Sequence, residues 1–308
     1  MIIQDIASRE PFKAASHNVI EVLRRSVDVD SLFIAVNDKV ENFILTAVNK
    51  REQLIEAGTS LPFEETYCKL VCGGGKMATV IPDTKRDRLT AALDVTGKLG
   101  RSSFVGVPLL LGNGEAFGTI CALDKRARIF TTQELELFQS MAELLSHVLT
   151  IEYDRYKDTI TDAFNRKFLE AIQRSHDMTR HRLSALYVDL NGFKDINLNY
   201  GHAYGDGLLA KSARILIKLC GENAALIRLQ ADQFVALIPE THPIRVTEQA
   251  QAALTALGKI QLPCGGYLTA SIGAALSDPW TASINDLIHC ADTKMLSVKS
   301  RSGHGIAY

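Results

Sequence analysis

Leu186-Tyr187-Val188-Asp189-Leu190-Asn191-Gly192-Phe193-Lys194-Asp195-Ile196-Asn197, followed by Gly201-His202-Ala203-Tyr204-Gly205-Asp206, sets an apolar run, a carboxylate, a lysine, an asparagine and a glycine-bounded turn in that order. The apolar run reads as a buried strand and the turn as the opening of a helix. A carboxylate at the strand end, a cation and a helix N-terminus thereby come close together, as a nucleoside triphosphate and its metal ion require. Around this stretch the elements alternate from Asp158 onward. A helix precedes the strand ending at Asp189, and a helix from Gly205, a hairpin over 226–238, a helix over 246–258, a strand over 267–276 and a helix over 284–300 follow. This is an α/β pattern, with helices over a mixed sheet.

The region up to about residue 130 reads differently. Phe12, Ala15, Val19, Val22 and Leu23 recur at helical spacing after Pro11, which suits a first helical turn. Strand-like runs follow at 32–36, 43–48, 77–81, 103–111 and 116–123, with Gly112-Asn113-Gly114 as the hairpin turn between the last two. Thr131 or Thr132 can cap a helix continuing to about Lys157. Along it Leu137, Met141, Leu144, Val148, Ile151 and Arg155 follow alternating steps of four and three, the spacing of a coiled-coil seam. A helix packed on its own sheet competes with a dimer through this seam.

The length of 308 residues suits two domains, and 46% hydrophobic with 22% charged residues is ordinary for a globular protein. A formal net charge of -1 supplies no basic field for nucleic acid. Six cysteines stand at 68, 72, 121, 220, 264 and 290; only Cys68 and Cys72 are close, and one pair cannot complete a tetrahedral zinc site. Reduced thiols suit an intracellular protein. Asp5 lies where a signal peptide would be basic or apolar, and no apolar run approaches the ~18 residues that span a bilayer. The expected location is the cytoplasm, with no membrane partner.

The motifs resemble two families. Glu65-Thr66-Tyr67-Cys68, Ser103-Phe104-Val105-Gly106-Val107-Pro108-Leu109 and Gly118-Thr119-Ile120-Cys121-Ala122-Leu123-Asp124 resemble a GAF domain, a small-molecule-sensing module with a central antiparallel sheet. The opening stretch resembles the GGDEF domain of diguanylate cyclases. So do Asp158-Thr159-Ile160-Thr161-Asp162-Ala163-Phe164-Asn165-Arg166 (with Asp162 where Gly is usual), Ser271-Ile272-Gly273 and the run from Ala291 to Lys299. The expected architecture is therefore α/β (α+β). It comprises a GAF-like sensory domain over 1–130, a connecting helix over 131–157 and a GGDEF-like mixed sheet flanked by helices over 158–308.

The GGDEF resemblance implies roles for individual residues. Asp189 and Asp232 occupy the metal-ligand positions for Mg2+ bound with GTP, Lys194 and Lys299 those of the phosphate-contacting lysines, and Asn197 and Asp206 those that read guanine. An amide with a carboxylate can accept from guanine N1–H and N2–H₂ and donate to O6, which adenine cannot satisfy. Asp206 also suits a helix N-cap. His202 is assigned the turn and no catalysis, and Trp280 after Pro279 has no functional reading. Neither Asn191 nor Leu198, where the family often carries Asp, removes a ligand.

The loop that names the family is altered, to Gln230-Ala231-Asp232-Gln233-Phe234. In the family two glycines let the hairpin backbone approach the phosphates; Gln230 and Ala231 fill that space and strain any turn needing a positive φ. The Glu implied to activate the attacking 3′-hydroxyl, or to assist metal binding, is Gln233, a neutral amide. Losing a general base typically costs about 10²–10⁴-fold. The Arg-x-x-Asp product-inhibition site is replaced by Gly221-Glu222-Asn223-Ala224, and the C-terminal Gly-Arg-Asn motif is eroded to Gly303-His304-Gly305. The leading expectation is a cyclic di-GMP-type signalling protein whose degenerate GGDEF domain retains GTP-Mg2+ contacts with little or no cyclase activity. A slow, authentic diguanylate cyclase is the alternative, and a non-catalytic interaction module a third. A homodimer, a small GAF ligand of unread identity and partner signalling proteins complete the expectations. Cys68 is a candidate redox or chromophore anchor, against the commoner fate of a buried structural thiol.

Overall fold

The computed structural model describes residues 7, 9–75, 77–175, 178, 182–221, 223–278, 281, 283–301 and 303–308. Asp5, Glu222, Pro279 and Trp280, singled out in the sequence, lie outside the described residues. Two units divide the chain, Met1–Arg155 and Tyr156–Tyr308.

The first unit opens with helix α1 (Phe12–Ser26) and carries strands β1 (Ser31–Asn37), β2 (Glu41–Asn49), β3 (Ser60–Pro62), β4 (Thr79–Ile81), β5 (Ser103–Leu110) and β6 (Ala116–Asp124). Short helices α2 (Tyr67–Gly73) and α3 (Asp94–Leu99) interrupt the strands, and the long helix α4 (Thr132–Asp154) closes the unit. The strand order is β3-β2-β1-β6-β5-β4, antiparallel throughout. β1 is buried at every position, as expected of a strand covered on both faces. Phe33, Ala35, Phe104 and Cys121 pack with Tyr67, Cys68 and Val71 of α2 in one core. The 112–114 hairpin turn forms as expected, closed by Gly114 N–H donating to Leu111 O at 2.8 Å.

Two expectations shift here. On α1 the buried line is Phe12, Ser16, Val19, Ile20 and Leu23, whereas Val22 is 44% exposed. An advance of 100° per residue carries Val22 off the stripe that Ile20 holds. Thr131 caps α4 in a capping box with Glu134, but the helix stops at Asp154, not near Lys157. Lys157 instead bridges Phe164, and Asn165 N–H donates to Tyr156 O at 2.7 Å, so the next domain's backbone pairing takes the chain over. Phe138, Ala142, Leu145 and Leu149 form the inner face of α4, while Leu144 and Ile151 of the expected seam are 50% and 68% exposed. The helix thus has two apolar stripes, one packed and one outward.

The second unit runs α5 (Arg166–Ser175), β7 (Ser184–Leu190), α6 (Phe193–Tyr200), α7 (His202–Cys220), β8 (Ala225–Gln230), β9 (Gln233–Ile238), α8 (Pro243–Leu257), β10 (Ala270–Leu276), α9 (Ile284–Arg301) and β11 (Gly305–Ala307). The sheet order is β11-β10-β7-β9-β8, mixed because β10 and β11 are parallel while the other pairs are antiparallel. β7 is central and wholly buried. Helix α7 starts at His202, not Gly205: Gly201, at φ 82, ends α6 and starts α7 in a conformation that costs glycine little. Asp206 consequently lies inside the helix and does not cap it. Across the sheet, a Cβ on Gly273 would collide with Ala291 O and Met295 N of α9. Glycine at 273 therefore lets α9 lie against β10, which carries Lys299 over the end of β7.

All six cysteines are free thiols. Among the described residues no helix is long and apolar enough to cross a membrane.

Candidate functional site

Strand register builds the centre of the site. Asp189 is paired with Gln233 on β9 and with Ser271 on β10. Its side chain is 1% exposed, so its charge needs partners. Lys299 Nζ donates to Asp189 Oδ1 at 2.8 Å and to Oδ2 at 2.9 Å. Gln233 Nε2 donates to Asp189 Oδ2 at 3.1 Å. Gln233 Oε1 in turn accepts from Tyr187 Oη–H at 3.0 Å and from Gln230 Nε2 at 3.0 Å. Asp189, Gln230, Gln233 and Lys299, all named from the sequence, thus form one hydrogen-bonded network.

Tyr187 was not singled out in the sequence. Two residues before Asp189 it lies on the same face of the strand, a spacing that could have identified it. Burial first, then the charges of Asp292, Asp189 and Asp232, push its phenol up to about 12, so it stays a donor.

Asp232 is half-buried in the β8–β9 turn, and its carbonyl accepts from Leu190 N–H at 3.2 Å. Burial lifts its carboxyl above the ordinary range. A backbone hydrogen bond lowers it, Asp189 adds to the rise, and Lys299 and Arg228 oppose it. Ala231 adopts φ 35, so the turn does impose a positive φ on a residue with a Cβ. Asp162, where the family has Gly, likewise sits at φ 57.

Arg228 anchors this hairpin to the start of the domain. Its Nη1 donates to Asp158 Oδ1 at 3.0 Å and its Nε to Ala231 O at 2.9 Å. Burial raises the Asp158 carboxyl, but hydrogen bonds from Thr161 and Arg228 outweigh it and hold it below its usual range. The Asp158–Arg228 pair is another contact that sequence spacing, 70 residues apart, does not disclose.

The remaining sequence-predicted groups make no hydrogen bond to this network among the described residues. Lys194 is exposed on the first turn of α6, and Asp206 is exposed on α7; neither makes a side-chain hydrogen bond among the described residues. Asn197 Oδ1 packs against Gly205, where a Cβ would collide with it, and is buried without a hydrogen-bond partner. Such an orphaned acceptor costs about 1–3 kcal/mol. His202 is exposed, and the turn it was assigned is held instead by Gly201 N–H to Asn197 O at 2.9 Å and Gly205 N–H to Gly201 O at 3.2 Å. Asn191 donates to Gly303 O and accepts from Ser271 Oγ at 3.1 Å, and His304 Nδ1 accepts from Ala270 N–H at 3.3 Å. The eroded C-terminal motif therefore ties the tail to β10.

A divalent cation at Asp189 would have to compete with Lys299 and Gln233, which together fill three of the carboxylate's about four acceptor sites. Among the described residues no three His, Cys, Asp or Glu side chains are grouped to hold a metal ion. As it stands, Asp189 meets an ammonium and an amide donor where a cation would bind, and that arrangement does not fit one.

In the first unit, Cys68 is 2% exposed, and its Sγ accepts from Thr119 Oγ1 at 3.3 Å and Asn42 Nδ2 at 3.6 Å.

Comparison with known proteins agrees with both folds. The family model described as "Diguanylate cyclase, GGDEF domain" matches residues 155–304, and the GAF domain model matches residues 12–149. The chain belongs to the GGDEF family, with a GAF domain preceding the GGDEF domain. Diguanylate cyclase DgcP of Escherichia coli (strain K12) is 24% identical over 326 aligned positions, covering 97% of this chain and 93% of DgcP. An uncharacterised 19.3 kDa protein of Streptomyces ambofaciens is 31% identical over 153 positions, covering 48% of this chain and 81% of that protein. A solved structure comprising only the GGDEF domain of TpbB from Pseudomonas aeruginosa shares 28% identity at a TM-score of 0.43, covering 49% of this chain and 94% of that one. Other curated relatives are longer, and the chain spans less than half of their length.

Proposed function

We propose that this is a signalling protein of the cyclic di-GMP type in which the GGDEF domain binds a guanine nucleoside triphosphate but joins two of them slowly or not at all. One observation carries the reading: Gln233 spends its amide N–H₂ on Asp189 and its carbonyl on Tyr187 and Gln230. An amide so engaged accepts no proton from an attacking 3′-hydroxyl near neutral pH. Lys194, Lys299, Asn197 and Asp206 remain to meet phosphate and base. The GAF domain is the sensor for a small ligand, and the outward stripe of α4 supports a homodimer through that helix.

The test is incubation of the pure protein with GTP and Mg2+ or Mn2+, with chromatography for a cyclic dinucleotide. Little or no product is expected, and robust product sinks the reading. The triple variant Gln230→Gly, Ala231→Gly, Gln233→Glu should raise turnover by about 10²-fold or more.

Likeness to DgcP along nearly the whole chain favours a second reading, an authentic slow cyclase that tolerates this loop. Under it, the triple variant changes the rate only slightly.

A further inference from the structure

We propose that Lys299 and Gln233 replace the divalent cation at Asp189, so that the pocket takes its nucleoside triphosphate without a metal ion. The nucleotide half of this statement rests on the function proposed above; the cation half stands on the contacts alone.

Asp189 is a buried carboxylate whose two oxygens are both engaged. Oδ1 takes one hydrogen bond from Lys299, and Oδ2 takes one from Lys299 and one from Gln233. The pair register puts the second partner within reach, because residue 233 stands directly opposite residue 189 on the neighbouring strand. A glutamate at 233 would set two carboxylates face to face across that pair, a repulsive arrangement that a cation between them relieves. The amide removes the repulsion and supplies a donor in its place. Its orientation is fixed from behind, since Tyr187 and Gln230 both donate to Oε1 and leave Nε2 to face Asp189. Lys299 neutralises the remaining charge, and a divalent ion entering here would meet the ammonium at contact distance.

The same arrangement leaves phosphate-binding capacity. An ammonium has three N–H donors, and Lys299 uses two on Asp189. Its side chain is 46% exposed, so the third can face an incoming phosphate. Lys194 is exposed and uncommitted among the described residues.

Mn2+ uptake by the full chain, followed by electron paramagnetic resonance without nucleotide, decides the cation half. Wild type should take up no Mn2+ that Asp189→Asn removes, whereas Gln233→Glu should gain one such ion. Equal uptake by wild type, or none by a folded Gln233→Glu variant, overturns the proposal. Should Gln233→Glu fail to fold, Lys299→Met serves. It should gain Mn2+ uptake that depends on Asp189, and no gain overturns the proposal. Calorimetry with GTP decides the other half. Affinity in EDTA should lie within about threefold of that in Mg2+, and a loss greater than about tenfold overturns metal-free binding. No GTP binding in either medium overturns the nucleotide reading, while the Mn2+ series still decides what Asp189 holds.

Discussion

Ala231 at φ 35 carries a cost that glycine would not. The left-handed region disfavours a Cβ by roughly 1–2 kcal/mol, and the extra freedom of glycine in the unfolded chain returns part of that. Ala231→Gly should therefore stabilise the second unit by about 0.5–1 kcal/mol in chemical denaturation, with no new hydrogen bond. Nearby, Asp158 is held below its usual range by Thr161 and Arg228 against the opposing effect of burial. A depressed carboxyl stabilises the folded state above its unfolded value and loses that contribution as pH falls through the folded one. Unfolding below about pH 4 should accordingly be less acid-sensitive in Arg228→Ala, which starts less stable at neutral pH by about 1.5–3 kcal/mol. Equal slopes of stability against pH in the two proteins would show that the pair does not drive the acid response.

At the scale of elements, α4 shows what spacing leaves undecided. Its steps of four and three describe two adjacent stripes, and only burial shows that Phe138, Ala142, Leu145 and Leu149 are committed to the first unit's core. Leu144 and Ile151 remain outward. If they form a dimer seam, Leu144→Lys with Ile151→Lys should move the protein towards monomer in sedimentation velocity. Stability of the monomer should change by no more than about 0.5 kcal/mol per site, as expected of exposed positions. On this helix the start is easier to read than the end. Thr131 with Glu134 is a local signal, whereas the stop at Asp154 depends on Lys157 bridging Phe164, a tertiary contact.

For the whole molecule, two units and two sheets followed from the change between strand-rich and alternating patterns, because hydrophobic periodicity is written residue by residue. Nucleotide binding should register in one unit only. Hydrogen exchange with GTP at 100 times its dissociation constant should show protection worth about 2.7 kcal/mol in β7, α6 and α7, with the first unit's strands unchanged. Protection spread evenly over both units would count against a site built on β7.

The sequence by itself determined the two folds, the strand ending in Asp189, the turn glycines and the replacement of a carboxylate by Gln233. Those are properties of local order, since a motif's residues follow one another along the chain. Only the tertiary structure decided where Asp189 sends its charge. The answer lies in a pairing register and a helix approach over Gly273, which bring residues 44 and 110 positions away onto the same two oxygens. No spacing rule reaches across such separations, because what sets them is the packing of one element on another.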